Sequence, residues 1–274
     1  MPDHPSATIT IRPLESRPPF NPMPSSESFS DVSRLLRELP SADATAAEAA
    51  RARQAILTKP PGSLGRLEEI VVWLAAWQGR HPPRLSRPRV AVFAGNHGVV
   101  RRGVSAYPAE VTRQMVKNFI DGGAAINQLC RAADAELRVY EMALETPTED
   151  FTRAPALDDE ECMRAIAYGM AAVEPGLDIL ALGEMGIGNT TSAAALALAL
   201  FGGTAEDWTG PGTGVVGAAL RGKIETVAVG VERHAQCNGV REPRWHTPDD
   251  AGVHSRARHT LAGFTGQANL PLPH

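Results

Sequence analysis

The sequence predicts an α/β protein built on a doubly wound parallel sheet. Three short apolar runs carry that reading: Val90-Ala91-Val92-Phe93-Ala94, Leu137-Arg138-Val139-Tyr140 and Leu177-Asp178-Ile179-Leu180-Ala181-Leu182. Apolar runs without alternation suit strands covered on both faces. Helical stretches lie between them, at 108–120 and 123–132 after the first run and at 159–173 after the second. Strands alternating with helices form βαβ units. The first and third runs end at Gly95 and Gly183, where a chain leaves a strand for a loop.

Taken in order, residues 1–28 are rich in Pro and Ser and poor in large apolar residues, which predicts a disordered leader. Ser28 to Glu38 carries Val32, Leu35 and Leu36 at helical spacing and stops near Pro40. Asp43 to Leu57 is an Ala- and Arg-rich helix, Ala having the highest helix propensity. Lys59-Pro60-Pro61-Gly62-Ser63-Leu64-Gly65 breaks it. Leu67 to Trp77 resumes a helix with Leu67, Ile70, Val71 and Leu74 on one face. Residues 29–88 thus predict a small helical subdomain and 89–236 an α/β core. Within the core, an Ala/Leu-rich helix is expected at 190–201 and another at about 215–235. From 237 to 274 neither helical nor alternating periodicity is present. The apolar share there falls to about 30%, against 43% overall, which predicts an irregular stretch. Two readings of it stay open: a solvated tail, or a segment foreign to the fold, as a shifted reading frame would produce.

The length of 274 residues allows one large domain or two small ones. With 27 basic and 31 acidic residues the net charge is −4, which excludes the basic footprint of a nucleic-acid binder. No apolar run is long enough for a membrane span. Cys130, Cys162 and Cys237 lie too far apart for a disulfide framework or a paired-cysteine metal site. A reducing cytoplasm is the expected compartment, and the N-terminal residues lack the pattern of a signal peptide.

The most informative stretch is Gly183-Glu184-Met185-Gly186-Ile187-Gly188-Asn189-Thr190-Thr191-Ser192, between a buried strand and an Ala-rich helix. A glycine-rich strand-to-helix turn brings backbone N–H groups and a helix N-terminus to a phosphate. Asn189 stands where a nucleoside-triphosphate loop requires Lys, which excludes a kinase or ATPase reading and leaves a phosphate monoester. The plainer alternative is a helix cap whose glycines serve packing. Glu184, at a strand end beside such a site, would repel the ligand unless it has a role there.

Gly95-Asn96-His97-Gly98 ends the first strand, in the right place for a site in an open sheet. His97 is a candidate acid or base there, or a structural histidine. Gln114 follows on the next helix, as a pocket wall or a solvated residue. Gly210-Pro211-Gly212-Thr213-Gly214 is a second glycine-rich turn before a helix, with Lys223 downstream. Lys223 is either a solvated helix residue or the cation that the first loop lacks.

Five segments in one order resemble the nicotinate-nucleotide–dimethylbenzimidazole phosphoribosyltransferases of cobalamin lower-ligand assembly. They are Leu57 to Glu68; Phe93 to Val99 with Gly103 to Pro108 and Glu110-Val111-Thr112; Asn118-Phe119 with Gly122 to Asn127; Gly183 to Thr191; and Gly210 to Gly214. The resemblance covers roughly residues 30–236. It implies a Rossmann-like parallel sheet with flanking helices plus a small helical N-terminal subdomain, acting as a homodimer. The implied reaction moves the phosphoribosyl group of nicotinate mononucleotide to a ring nitrogen of 5,6-dimethylbenzimidazole, giving α-ribazole 5′-phosphate and nicotinate. No metal or redox cofactor is implied.

Residue by residue, the resemblance makes Glu184 the carboxylate close to the reacting groups. Gly186, Gly188, Asn189, Thr190 and Gly212 shape the nucleotide and phosphate site, and Lys223 matches a position that contacts the phosphate. Ser105, Tyr107, Gln114 and Met185 become candidates for the benzimidazole slot. Family members continue with further strands and a Gly-Glu-Gly-Thr-Gly loop whose Glu is the general base. No such loop occurs here, and Glu242 is the only glutamate after residue 237. Three readings follow: a transferase by descent lacking the family's C-terminal strands; a transferase whose base is Glu242, Asp249 or Asp250; or a protein that only binds nicotinate mononucleotide or a benzimidazole.

Overall fold

The computed structural model describes residues 9–13 and 29–238. Its elements are β1 (Ile9–Pro13), α1 (Phe29–Arg37), α2 (Ala44–Ala55), α3 (Arg66–Gln78), β2 (Pro88–Ala94), α4 (Glu110–Ile120), α5 (Ala125–Ala132), β3 (Glu136–Glu141), α6 (Asp159–Met170), β4 (Ile179–Met185), α7 (Asn189–Phe201), α8 (Ala205–Trp208) and α9 (Gly217–Asn238). The four strands make one sheet in the order β1-β3-β2-β4. Every connection between successive strands after β1 passes through helix, as a parallel sheet demands.

Among the described residues the chain divides into two compact units, one of 29–89 with 173–180 and one of 9–13, 90–172 and 181–238. In the first, α2 and α3 pack together, with Ala46, Ala47 and Ala50 buried on α2 and Leu74, Ala75 and Ala76 buried on α3. Asp43 starts α2 as its N-cap, accepting from the Ala46 amide at 2.9 Å, while its own amide donates to the Ala76 carbonyl at 2.9 Å. The proline-glycine segment between the helices is closed by Lys59, which donates to Glu68 at 2.6 Å. That hydrogen bond holds the Glu68 carboxyl below its usual range. In the segment 173–180, Glu174 pairs with the buried Arg89 at 2.9 Å.

The second unit holds the sheet and its core. Leu137 and Val139 of β3 and Val92 and Ala94 of β2 pack with Val116 and Phe119 of α4 and Cys130 of α5. Next to Val139, Tyr140 is also buried and stacks on Phe93, with ring centroids 4.9 Å apart. Neighbouring residues of β3 are therefore buried on opposite faces, which explains a run that does not alternate. Beyond the sheet, Ala194 and Ala197 of α7 close on Trp208 and on Val227 of α9.

Three expectations need correction. Residues 9–13, read as part of a disordered leader, form β1, which pairs in parallel with β3 in the register Ile9↔Leu137 to Pro13↔Glu141. The short β-branched run Ile9-Thr10-Ile11 favours that extended form despite the Pro- and Ser-rich surroundings. The third strand does not end at Gly183 but runs to Met185, so Glu184 lies on β4 itself. The helix expected over 159–173 ends at Met170. The tail from 239, with Glu242, Asp249 and Asp250, and the rest of the leader lie outside the described residues.

Candidate active site at the carboxyl end of the sheet

The turn from β4 into α7 is held by side chains from two neighbouring segments. The buried Thr112 of α4 accepts from the Ile187 amide at 3.1 Å. His97, three residues past β2, lies under the turn. A Cβ added at Gly186 would meet the Gly95 carbonyl oxygen at 2.3 Å and His97 Nε2 at 3.0 Å. Gly188 caps α7 with φ +89, a conformation that favours glycine. His97 Nδ1 also lies 3.1 Å from Ser192 Oγ in the first turn of α7. Burial pushes the His97 pKa down to about 4, so the imidazole is neutral at pH 7.

The amides at the start of α7 are used within the turn. Asn189 N donates to Gly186 O, Thr190 N to Asn189 Oδ1, and Thr191 N to Gly188 O. The expected cradle of free N–H groups is therefore largely closed here. The cation instead comes from α9. Lys223 is 1% exposed, and its Nζ donates to Thr190 Oγ1 at 2.8 Å and to the Gly210 carbonyl at 2.9 Å. A Cβ at Gly212 would lie 2.6 Å from that Nζ and 2.8 Å from Thr190 Oγ1, so this glycine lets the loop lie directly over the ammonium. Thr190, Gly212 and Lys223, far apart in sequence, thus meet at one point. Among the described residues no carboxylate pairs with Lys223. Burial lowers its pKa to about 8, which leaves it charged at pH 7 with a third N–H still to place.

Glu184 lies near the carboxyl end of β4, four residues before Gly188. Its side chain reaches solvent, yet partial burial still pushes its pKa up to about 7. A carboxyl poised there exchanges a proton readily at neutral pH.

The candidate slot residues are less concentrated. Ser105 Oγ lies 2.8 Å from Thr213 Oγ1 and accepts from the Tyr107 amide at 3.1 Å. Tyr107 is 54% exposed, and Gln114 is exposed on α4. Met185 packs on the core cluster of Val92 and Leu137. Thr112, Ser192 and Thr213 were not singled out from sequence. Thr112 and Thr213 lay inside two of the matching segments, whereas only the fold brings Ser192 to His97.

Comparison with known proteins sharpens this picture. A family model described as a phosphoribosyltransferase matches residues 39–247. Over 206 residues the chain is 56% identical to the nicotinate-nucleotide–dimethylbenzimidazole phosphoribosyltransferase of Brucella anthropi, covering 75% of this chain and 61% of that protein. It is 58% identical to the enzyme of that name in Agrobacterium fabrum, covering 60% of it. Among solved structures, CobT from Thermus thermophilus superposes with a TM-score of 0.64 at 46% identity, covering 69% of this chain and 62% of that one. The chain therefore spans about three fifths of the length of the relatives it matches. With the family model matched over well more than half of its residues, the chain belongs to the nicotinate-nucleotide–dimethylbenzimidazole phosphoribosyltransferase family.

Proposed function

We propose that the chain transfers the phosphoribosyl group of nicotinate mononucleotide to 5,6-dimethylbenzimidazole, in assembly of the cobalamin nucleotide loop. A benzimidazole nitrogen forms a bond to the anomeric carbon. The bond to nicotinate breaks, and its electron pair stays on the pyridine nitrogen. The proton on the other benzimidazole nitrogen passes to a carboxylate, for which Glu184 is the candidate among the described residues. The single observation that supports this best is the buried Lys223 ammonium, joined to Thr190 under the Gly212 loop and without a carboxylate partner among the described residues. A phosphate monoester supplies the charge that such a cation calls for. Holding the 5′-phosphate there places the ribose by the end of β4, so positioning contributes to rate independently of the base.

Gly186, Gly188 and Asn189 line the turn beside that phosphate in this reading. Ser105, Tyr107, Gln114 and Met185 are assigned to the benzimidazole. The same reading takes the working form as a cytoplasmic homodimer. The test is to incubate the purified chain with both substrates and to separate products by chromatography. The expected result is nicotinate and α-ribazole 5′-phosphate in equal amounts, at a rate that falls with Glu184→Gln. Folded chain that binds the mononucleotide and yields neither product overturns the transferase reading in favour of binding alone.

A further inference from the structure

The loop over Lys223 and the loop carrying Ser105 and Tyr107 are joined through one side chain. Thr213 Oγ1 accepts from the Ala106 amide at 3.0 Å and lies 2.8 Å from Ser105 Oγ, which in turn accepts from the Tyr107 amide. Among the described residues the two contacts to Thr213 are the only hydrogen bonds from 104–107 to another segment of the chain. Val104 is buried and anchors one end of that loop, and α4 begins soon after the other. Between these anchors its polar tie runs to Thr213.

Thr213 sits where the phosphate site would feel any change. Its neighbour Gly212 lies against the Lys223 ammonium, and Gly210 O accepts from it. The amides of Gly214 and Val215 both donate to Pro211 O at 3.0 Å, so residues 211–215 form one tight turn. A shift of Gly212 is therefore carried to Thr213 rather than absorbed between them. An anion that fixes Gly212 also fixes Thr213, and through it Ala106 and Tyr107.

We infer that Thr213 is a positioning residue that couples phosphate occupancy at Lys223 to the order of the loop Ser105–Tyr107, so that one substrate's phosphate prepares the slot for the other. This rests on the reading of Lys223 as the phosphate cation. Coupling of this kind is reciprocal and commonly amounts to about fivefold or more in affinity.

Hydrogen exchange with and without inorganic phosphate tests the inference, on the full chain and on Thr213→Val and Thr213→Ser. In the unaltered chain phosphate slows exchange over 210–215, and also by about fivefold at Ala106 and Tyr107. Thr213→Val, which keeps the shape and loses the hydroxyl, retains the first effect and loses the second. Thr213→Ser restores both. Protection at 210–215 with none at Ala106 and Tyr107 overturns the coupling and leaves the phosphate site standing. Protection at Ala106 and Tyr107 that survives Thr213→Val overturns it too. No protection in either loop overturns the phosphate site and the coupling together.

Discussion

The Lys223 ammonium donates to the Thr190 hydroxyl at 2.8 Å in a place where, among the described residues, no carboxylate balances its charge. Folding takes this cation out of water, and its pKa falls from 10.5 to about 8. The charged form is thus disfavoured in the folded chain, by about 3 kcal/mol at pH 7. Lys223→Met keeps most of the volume and removes that cost. In phosphate-free buffer at pH 7 the variant is expected to be more stable, by up to about 3 kcal/mol in denaturant unfolding. The unfolded chain holds the extra proton between pH 8 and 10.5. The unaltered chain therefore gains stability as pH rises through that window, and the gap closes. Phosphate offsets most of that difference. At one hundred times its dissociation constant it adds about 2.7 kcal/mol to the unaltered chain and nothing to Lys223→Met. Equal stabilisation of both by phosphate would remove Lys223 from the site.

In the proposed transfer, Glu184 and Lys223 together set the pH dependence of turnover. Glu184 must lose its proton to act as a base, and burial places that step at about pH 7. Lys223 must keep its proton to hold phosphate, and burial places its loss at about pH 8. In the free chain, kcat/KM is expected to rise through pH 7 and fall above pH 8. Glu184→Gln removes the rising limb and lowers kcat by about 10²–10⁴-fold. Loss of rate with an unmoved rising limb would assign that limb to another group. Stability changes in the opposite sense. The folded chain holds its proton on Glu184 more tightly than the unfolded chain does. That contribution is present below pH 4.5 and fades as pH rises through 7, and contact with solvent keeps it small.

Apart from the short α8, the helices were legible from periodicity and propensity, and three of the four strands from their apolar runs. Burial on both faces accounts for the runs of β2 and β3, whereas β4, expected to be covered on both faces, leaves Leu182 exposed. β1 was not legible. It is five residues long in Pro- and Ser-rich chain, and its pairing to β3 is a tertiary fact. The end of β4 was misjudged because Gly183 read as a stop. In the sheet its missing Cβ instead leaves room for Val92, which an added Cβ would approach to 3.3 Å. Thr190, Gly212 and Lys223 were individually visible as candidates, and the resemblance assigned all three to the proposed phosphate site. Their contact was expected only through that resemblance, because no local pattern brings α9 back over the start of α7. Met185 was named for the slot through the resemblance, and its packing against the core was not legible in the sequence.

His97 governs the acid limit of the fold. Its pKa is about 4 when folded and near 6.5 when unfolded, because burial beside the Gly186–Gly188 turn disfavours the charge. The unfolded chain thus binds the extra proton between these values. Stability is full above pH 6.5 and is lost as pH falls toward 4, by up to about 3 kcal/mol. His97→Gln keeps a polar group near Ser192 but does not titrate. Its stability relative to the unaltered chain should therefore improve steadily from pH 6.5 to 4. Parallel curves for the two over that window would mean that another group supplies the acid limb.

The seat of α9 on Phe151 fixes where Lys223 points. A Cβ at Gly230 would meet the Phe151 ring at 2.3 Å, and one turn on, His234 Nε2 lies 2.9 Å from the Phe151 carbonyl oxygen. Gly230 lies seven residues, about two helical turns, beyond Lys223, so a push at one is felt on the same side at the other. Gly230→Ala should cost about 1–3 kcal/mol of stability by overpacking and weaken phosphate binding about tenfold. Phe151→Leu by itself is expected to cost stability, since the ring packs with Val99 and Val104. In the double variant the smaller side chain admits the new methyl. The two costs should then fall short of additive by about 1 kcal/mol, with phosphate affinity partly restored. Titration calorimetry with phosphate and denaturant melts on the four proteins read both quantities. Strict additivity would show that α9 is held by its other contacts, Val227 against α7 and α8 foremost, and that the position of Lys223 does not depend on the glycine.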